Sequence, residues 1–130
     1  MKCLDTDLLV AILRGAGEAQ ESLRRLDQEG GNSTTSINAF EVFYGAYRSE
    51  RRVKNEESAR RLLSRLEVLP LTLESARKAG EIAADLASKG QTIDFRDAMV
   101  GGIAVSSGLR LVTRNKKDFS RIPDLQLDSW

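Results

Sequence analysis

Five carboxylates stand out by the residues around them. The chain opens Met1-Lys2-Cys3-Leu4-Asp5-Thr6-Asp7, a short apolar run that ends in one acid and meets a second two positions on. Glu41 interrupts the otherwise apolar stretch Ala39-Phe40-Glu41-Val42-Phe43-Tyr44. Asp97 leads into Ala98-Met99-Val100-Gly101-Gly102-Ile103-Ala104, a run of small and apolar residues. Asp118 closes the polar run Thr113-Arg114-Asn115-Lys116-Lys117. A carboxylate in apolar surroundings is costly unless it is paired, hydrogen-bonded or bound to a metal. Separate carboxylates that converge on one pocket suit a hard divalent cation such as Mg2+, which selects oxygen ligands. The chain has no His. That excludes His-based zinc sites, a Ser-His-Asp triad and a His general base.

Each acid also has an ordinary reading. Asp5 suits a helix N-cap or a solvated strand end. Asp7 falls in a first helical turn, where a carboxylate offsets the helix dipole, and is read as a helix-start residue. Glu41 fits a first-turn position in the same way, although its aromatic neighbours point to a largely buried helix. Asp94 and Asp97 stand one turn apart at the start of one segment; Asp94 is assigned the cap and Asp97 the pocket. Asn115 suits a turn, and Asp118 a solvated acid beside two lysines.

The elements that must position these side chains alternate between strand and helix. Met1–Asp5 reads as a strand, Thr6–Arg14 as a helix ended by Gly15 and Gly17, and Glu18–Glu29 as a second helix closed by Gly30-Gly31. Asn32–Ile37 is a candidate short strand. Ser36 or Asn38 then caps a helix from Ala39 to about Ser49, with Phe40, Phe43, Tyr44 and Tyr47 as its apolar face. After the charged stretch Glu50–Asn55, Ala59, Leu62, Leu63 and Leu66 mark another amphipathic helix. Val68–Leu71 reads as a strand, limited by Pro70. Thr72 caps a helix with a buried stripe of Ala76, Ala79, Ala83 and Leu86. Asp94 caps the helix Phe95–Ser107, where Gly101-Gly102 is explained by close packing of helix on strand. Leu109–Thr113 and Leu125–Leu127 read as the last strands. Alternation of this kind predicts a parallel sheet with helices on both faces. Polar groups at the carboxyl ends of such strands are well placed for a site.

A length of 130 residues predicts one domain, 1–130, with a single core. The 41% hydrophobic and 30% charged fractions suit a folded, soluble globule. Net charge is only +1, so nucleic-acid binding would have to come from a local basic patch. A single Cys excludes an internal disulfide framework, and Cys3 reads as a buried small hydrophobe. No apolar run reaches the roughly 20 residues of a membrane span, and no signal peptide is visible. The expected location is cytoplasmic.

Taken together, the order and spacing of these motifs are familiar. Leu4-Asp5-Thr6-Asp7, Glu41 followed by Gly45, Ile93-Asp94-Phe95-Arg96-Asp97 leading into Ile103-Ala104, Thr113-Arg114-Asn115-Lys116-Lys117-Asp118-Phe119, and Leu127 with Trp130 give a chain that resembles the PIN-domain ribonucleases along nearly its whole length. It is most similar to the VapC toxins of toxin–antitoxin pairs. The resemblance implies a three-layer α/β/α domain with a central, mostly parallel sheet of four or five strands. It implies a Mg2+-dependent endoribonuclease, with Mn2+ as a substitute, that hydrolyses RNA phosphodiester bonds with metal-activated water.

Carried over residue by residue, the resemblance makes Asp5, Glu41 and Asp97 the three most regular acids of the site. The fourth acidic position falls at Asn115 or at Asp118. Asn115 supplies no charge, so Asp118 takes the acid's place and Asn115 becomes a neutral ligand or hydrogen-bond partner. Asp5 and Asp97 are the implied metal ligands. Thr6, Ser36, Asn38, Arg96 and Asn115 are assigned to positioning RNA. The resemblance further implies a homodimer and a VapB-like antitoxin, whose segment would lie in a groove lined by the helices around Phe40–Tyr47 and Ala59–Leu66. The alternatives are a non-catalytic PIN-like binding module, a structure-specific DNA nuclease, and a receiver domain of the response-regulator kind. The last lacks a phospho-acceptor Asp on a mid-chain strand.

Overall fold

The computed structural model describes residues 1–130. Five short strands form one sheet: β1 (Lys2–Leu4), β2 (Asn32–Thr35), β3 (Glu67–Leu69), β4 (Leu111–Val112) and β5 (Leu127–Asp128). Seven helices surround it: α1 (Thr6–Leu13), α2 (Gly17–Glu29), α3 (Ser36–Arg48), α4 (Arg52–Leu63), α5 (Leu73–Ser88), α6 (Phe95–Ser106) and α7 (Lys116–Phe119). The strand order is β3-β2-β1-β4-β5, and every neighbouring pair is parallel. The chain builds outward from β1 through β2 to β3, then returns to build outward on the other side through β4 to β5. Such a reversal opens a crevice at the carboxyl ends of the strands that flank it.

Alternation along the strands divides the core in two. On one face Leu4 and Val112 pack with Leu8, Leu9 and Ile12 of α1, Leu23 and Leu26 of α2, and Leu62 and Leu63 of α4. On the other, Cys3 and Leu111 pack with Ile82 and Leu86 of α5 and Val100 of α6. Cys3 is fully buried as expected, and burial pushes its thiol up to about 12. The polar strand β2 is buried throughout. This is tolerable because its hydroxyls are satisfied across the sheet: Ser33 Oγ donates to the Lys2 carbonyl at 3.0 Å and Thr34 Oγ1 to the Leu4 carbonyl at 2.7 Å.

Two helix starts follow the sequence. Thr72 caps α5 in a capping box with Ser75, and the Asp94 carboxylate accepts from the Arg96 backbone N–H at 2.8 Å. The cap of α3 differs from expectation. It is Thr35, not Ser36 or Asn38, with Asn38 as the reciprocal partner of the box. β2 runs straight into α3, so the strand's last hydroxyl is already in place to cap.

Burial of the helix faces corrects three other expectations. The residues that α3 buries are Asn38, Val42 and Ala46, whereas Phe40, Tyr44 and Tyr47 are 56%, 50% and 40% exposed. Stacking and arginine cover take the place of a core: Phe40 and Tyr44 stack at 6.0 Å, and the Arg48 guanidinium lies 5.4 Å from the Tyr44 ring centre. On α5 the buried stripe is Ser75, Ala79, Ile82 and Leu86. Ala76 and Ala83 instead line an open apolar groove of about 550 Å3 together with Phe95 and Met99. Gly101-Gly102 allows a close approach, but to other elements than a strand. A Cβ on Gly102 would stand 2.7 Å from the Ser75 carbonyl oxygen and 2.9 Å from the Ala79 nitrogen of α5, and one on Gly101 2.6 Å from Ile122 Cδ1.

Backbone cannot yield as a side-chain tip can. Gly102→Ala is therefore expected to lower the urea unfolding free energy by about 1–3 kcal/mol, although Ala gains about 1 kcal/mol in helix propensity. Gly101→Ala, which meets only a flexible Ile122 methyl, should cost less in the same titration.

Candidate active site

Asp5 follows β1 in extended backbone and occupies the N-cap position of α1, but its carboxylate makes no cap hydrogen bond. It turns instead across the carboxyl edge of the sheet. Oδ1 accepts from Asn38 Nδ2 at 3.0 Å, and Oδ2 from Thr113 Oγ1 at 2.7 Å. The donors come from the starts of the segments that follow β2 and β4, the two neighbours of β1. Asp5 is 7% exposed. Burial is the main cause that raises its pKa to about 6; the charges of Asp7 and Glu41 add to it, and the Thr113 hydrogen bond works against it.

Asn38 is wholly buried, and its amide is committed on both sides. Nδ2 donates to Asp5 and to Thr6 Oγ1 at 2.9 Å, and Oδ1 accepts from Thr35 Oγ1 at 2.7 Å. Its amide orients Asp5 and Thr6 from inside the fold. One turn along α3, Glu41 Oε1 accepts from Thr6 Oγ1 at 2.9 Å, and Oε2 stands 3.8 Å from the Arg96 guanidinium. Arg96 is otherwise held by Asp94, whose two oxygens it reaches at 3.1 Å each.

Asp97, in the first turn of α6, is half-buried. Burial leads in raising its pKa to about 6, followed by the charges of Asp5, Asp94, Glu41 and Asp118. Asp5, Glu41 and Asp97, which are 36 and 56 residues apart in order, thus feel one another across a single cleft of about 560 Å3. Thr6, Asp7 and Asn115 share its wall, with Arg14 beside them.

The remaining expected residues stand outside that wall. Ser36 is half-buried at the start of α3. Asp118 lies on α7, 3.3 Å from the Arg121 guanidinium. It is close enough to act on Asp97 by charge alone. Of the two candidates for the fourth position, Asn115 lines the cleft and Asp118 does not.

Two residues are more important than the sequence suggested. Asp7 is not a simple helix-start acid. Its Oδ2 accepts from the Arg114 backbone N–H at 2.8 Å and from Thr113 Oγ1 at 3.2 Å, and its Oδ1 from Trp130 Nε1 at 3.0 Å. Thr113 is fully buried and links Asp5 to Asp7. A hydroxyl at the end of an apolar strand, facing two acids at the end of another, was the available signal. Recognising it requires knowing that β1 and β4 are adjacent.

The donors in the cleft are carboxylates, an amide and hydroxyls, a set that suits a hard divalent cation and not a soft one. No three of the acids are gathered into a ready-made cage. That is compatible with Mg2+, which binds through one or two carboxylates and keeps several waters.

The PIN domain family model matches residues 2–125. The chain belongs to the PIN-domain family. Within it, the sequence is 31% identical to ribonuclease VapC2 of Rickettsia felis over 128 residues, 98% of this chain and 96% of that protein. It is 38% identical to the tRNA(fMet)-specific endonuclease VapC of Salmonella typhimurium over 96 residues, 74% of this chain and 73% of that protein. Among solved structures, VapBC2 of Rickettsia felis bound to a promoter DNA fragment matches with a TM-score of 0.91 at 28% identity, covering 99% of this chain and 98% of that one. DNA-bound VapBC of Salmonella typhimurium matches with a TM-score of 0.90 at 33% identity, covering 100% and 98%. This PIN domain is thus a VapC-type nuclease, and its family works with a divalent metal. No helix is long and apolar enough to cross a membrane.

The raised acids set a pH dependence. Between about pH 4 and pH 6 the metal-free native protein holds more protons on Asp5 and Asp97 than the unfolded chain does, so its stability falls as pH rises through that window. The share from Asp5 is on the order of 2–3 kcal/mol. Urea titrations across this range should show the fall, and Asp5→Asn should flatten it and stabilise the metal-free protein at neutral pH. Saturating Mg2+ or Mn2+ should raise the melting temperature of the wild type most above about pH 6, where both acids are ionised.

Proposed function

We propose that this protein is a Mg2+-dependent endoribonuclease, the toxin of a VapBC-type toxin–antitoxin pair, and that the acidic cleft is its active site. The observation that carries this reading is the meeting of Asp5, Glu41 and Asp97 in one cleft at the point where the strand order reverses. Asp5 and Asp97 are the residues that would hold the metal. When bound, a divalent ion polarises a phosphate oxygen and lowers the pKa of its water, which supplies the nucleophile that a chain without His lacks. Glu41, fixed by Thr6 through one oxygen, uses the other to orient water and take up its proton. Asn115 donates an amide hydrogen bond from the opposite wall. Arg14 and Arg96, at the edge of the site, meet the RNA phosphates, and Asp118 tunes Asp97 through its charge.

Two partners follow from the same reading. The relatives solved as VapBC complexes support a VapB-like antitoxin. Ala59, Leu62 and Leu63 of α4 belong to the core, so the antitoxin's free surface here is the aromatic face of α3. A homodimer is supported by the apolar groove between α5 and α6, beside which Leu73 is 91% and Phe95 72% exposed.

The deciding experiment is cleavage of a mixed RNA pool by purified protein with Mg2+, Mn2+ or EDTA, beside single-stranded and branched DNA. RNA should be cut only with metal, and Asp5→Asn or Asp97→Asn should lose about 100-fold or more in rate. Wild-type cleavage in either variant would refute the site, and preferential cutting of DNA would favour the DNA-nuclease alternative. Phe95→Arg should shift the protein to monomer in light scattering, whereas Tyr44→Asp should weaken co-elution with the antitoxin.

A further inference from the structure

Trp130 is the chain's one tryptophan, and it is tied into the cleft from outside. Its indole Nε1 donates to Asp7 Oδ1 at 3.0 Å. Its ring is covered by the Arg114 guanidinium, 3.6 Å from the ring centre. Arg114 Nε donates to the Trp130 carbonyl at 2.8 Å, and Nη2 reaches Glu18 Oε2 on α2 at 2.6 Å. The backbone N–H of the same Arg114 occupies the other oxygen of Asp7 at 2.8 Å. Arg114 and Trp130 therefore grip Asp7 from two directions.

The consequence passes through a single proton. Thr113 has one hydroxyl hydrogen and two carboxylates within reach, Asp5 at 2.7 Å and Asp7 at 3.2 Å. Thr113 Oγ1 also accepts from the Asn115 N–H at 2.9 Å, which fixes the hydroxyl's other side. While Trp130 and Arg114 satisfy Asp7, the hydroxyl is free to serve Asp5. If Asp7 loses the indole donor, Oδ1 has no other partner within the protein, and its carboxylate competes for the Thr113 proton. Asp5 then loses the donor that fixes its Oδ2.

We propose that Trp130 is a positioning residue of this active site, which holds Asp7 through its indole N–H so that Thr113 orients Asp5. The proposal rests on the reading of the cleft as a metal-dependent nuclease site. It concerns orientation, so it predicts an effect on turnover and on metal binding rather than on RNA capture.

Trp130→Phe keeps a ring under Arg114 and removes only the N–H. With wild-type cleavage as the control, this variant should lose about tenfold in kcat with KM for RNA unchanged. Calorimetric titration of the RNA-free protein with Mn2+ alone should show several-fold weaker binding. In an Asp7→Asn background the same substitution should cost little more, because both changes cut one connection. Without any change at Trp130, Mn2+ should change the emission of the single tryptophan with the midpoint found by calorimetry, and Asp5→Asn should abolish that response. A Trp130→Phe protein with wild-type kcat and Mn2+ affinity, or additive losses in the double variant, would overturn the proposal. If Trp130→Phe does not fold, wild-type emission indifferent to saturating Mn2+ overturns it alone. Failure of the wild type to cleave RNA with any metal would instead strike the nuclease reading beneath it.

Discussion

A carboxylate held at the buried junction of three strands is the constraint around which this protein is arranged. Asp5 directly follows β1, the strand at which the sheet reverses its order. Taking its charge out of water is unfavourable, and the rise of its pKa to about 6 is the mark of that cost. The surrounding polar residues answer it. Asn38 and Thr113 supply one donor to each oxygen, and each of these residues is itself fixed by further bonds to Thr35, Thr6, Asp7 and the Asn115 backbone. No buried side-chain polar atom is left without a partner. An arrangement of this kind holds the Asp5 carboxylate in one orientation, because it cannot relax into solvent.

The same organisation explains why the two halves of the core are so plain. Each face of the sheet is covered by helices whose buried residues are mostly aliphatic or small, in one cluster on either side, with Phe119 of α7 the aromatic exception. The polar network occupies only the carboxyl edge between them. The tight contact of Gly102 with the backbone of α5 closes the second layer and brings the start of α6, with Asp97, up to the cleft. Packing in the layer and placement of the acid are thus one problem with one solution. Charges that do not serve the cleft are spread over the surface in exposed pairs such as Arg77 with Glu74 and Arg60 with Glu56, each worth little on its own.

The apolar residues left outside these clusters are concentrated on α3 and along the α5–α6 face. A monomer's own folding does not account for so many exposed aromatic side chains. Two surfaces with different chemistry emerge. On α3, aromatic rings lie under arginines, Arg48 of the same helix over Tyr44 and Arg52 and Arg60 of α4 over Tyr47 and Phe43. Between α5 and α6 the lining is mostly alanine, bordered by the larger Leu71, Phe95 and Met99, which suits close approach of another helix.

Much of this was legible in the residues themselves. Local physics acts within a few positions, so the alternation of strands and helices, the caps at Thr72 and Asp94, and the burial of Cys3 could be read directly. The absence of His narrowed the chemistry, and the spacing of Asp5, Glu41 and Asp97 carried the resemblance to a nuclease family. What the sequence could not say is which side chains turn toward one another across strands. Asp5 and Asp7 are two residues apart and look interchangeable, but only the adjacency of β1 and β4 sends one into the centre of the site and ties the other to Thr113, Arg114 and Trp130. Periodicity likewise marked α3 as apolar but could not tell which side meets the sheet. The strand-end cap at Thr35 turned Asn38, Val42 and Ala46 inward, and left Phe40, Tyr44 and Tyr47 outside. Residue type and spacing settled which groups were available, because those are properties of the local chain. Their partners were decided by the tertiary structure, because orientation at a strand end or on a helix face depends on neighbours that are distant in sequence.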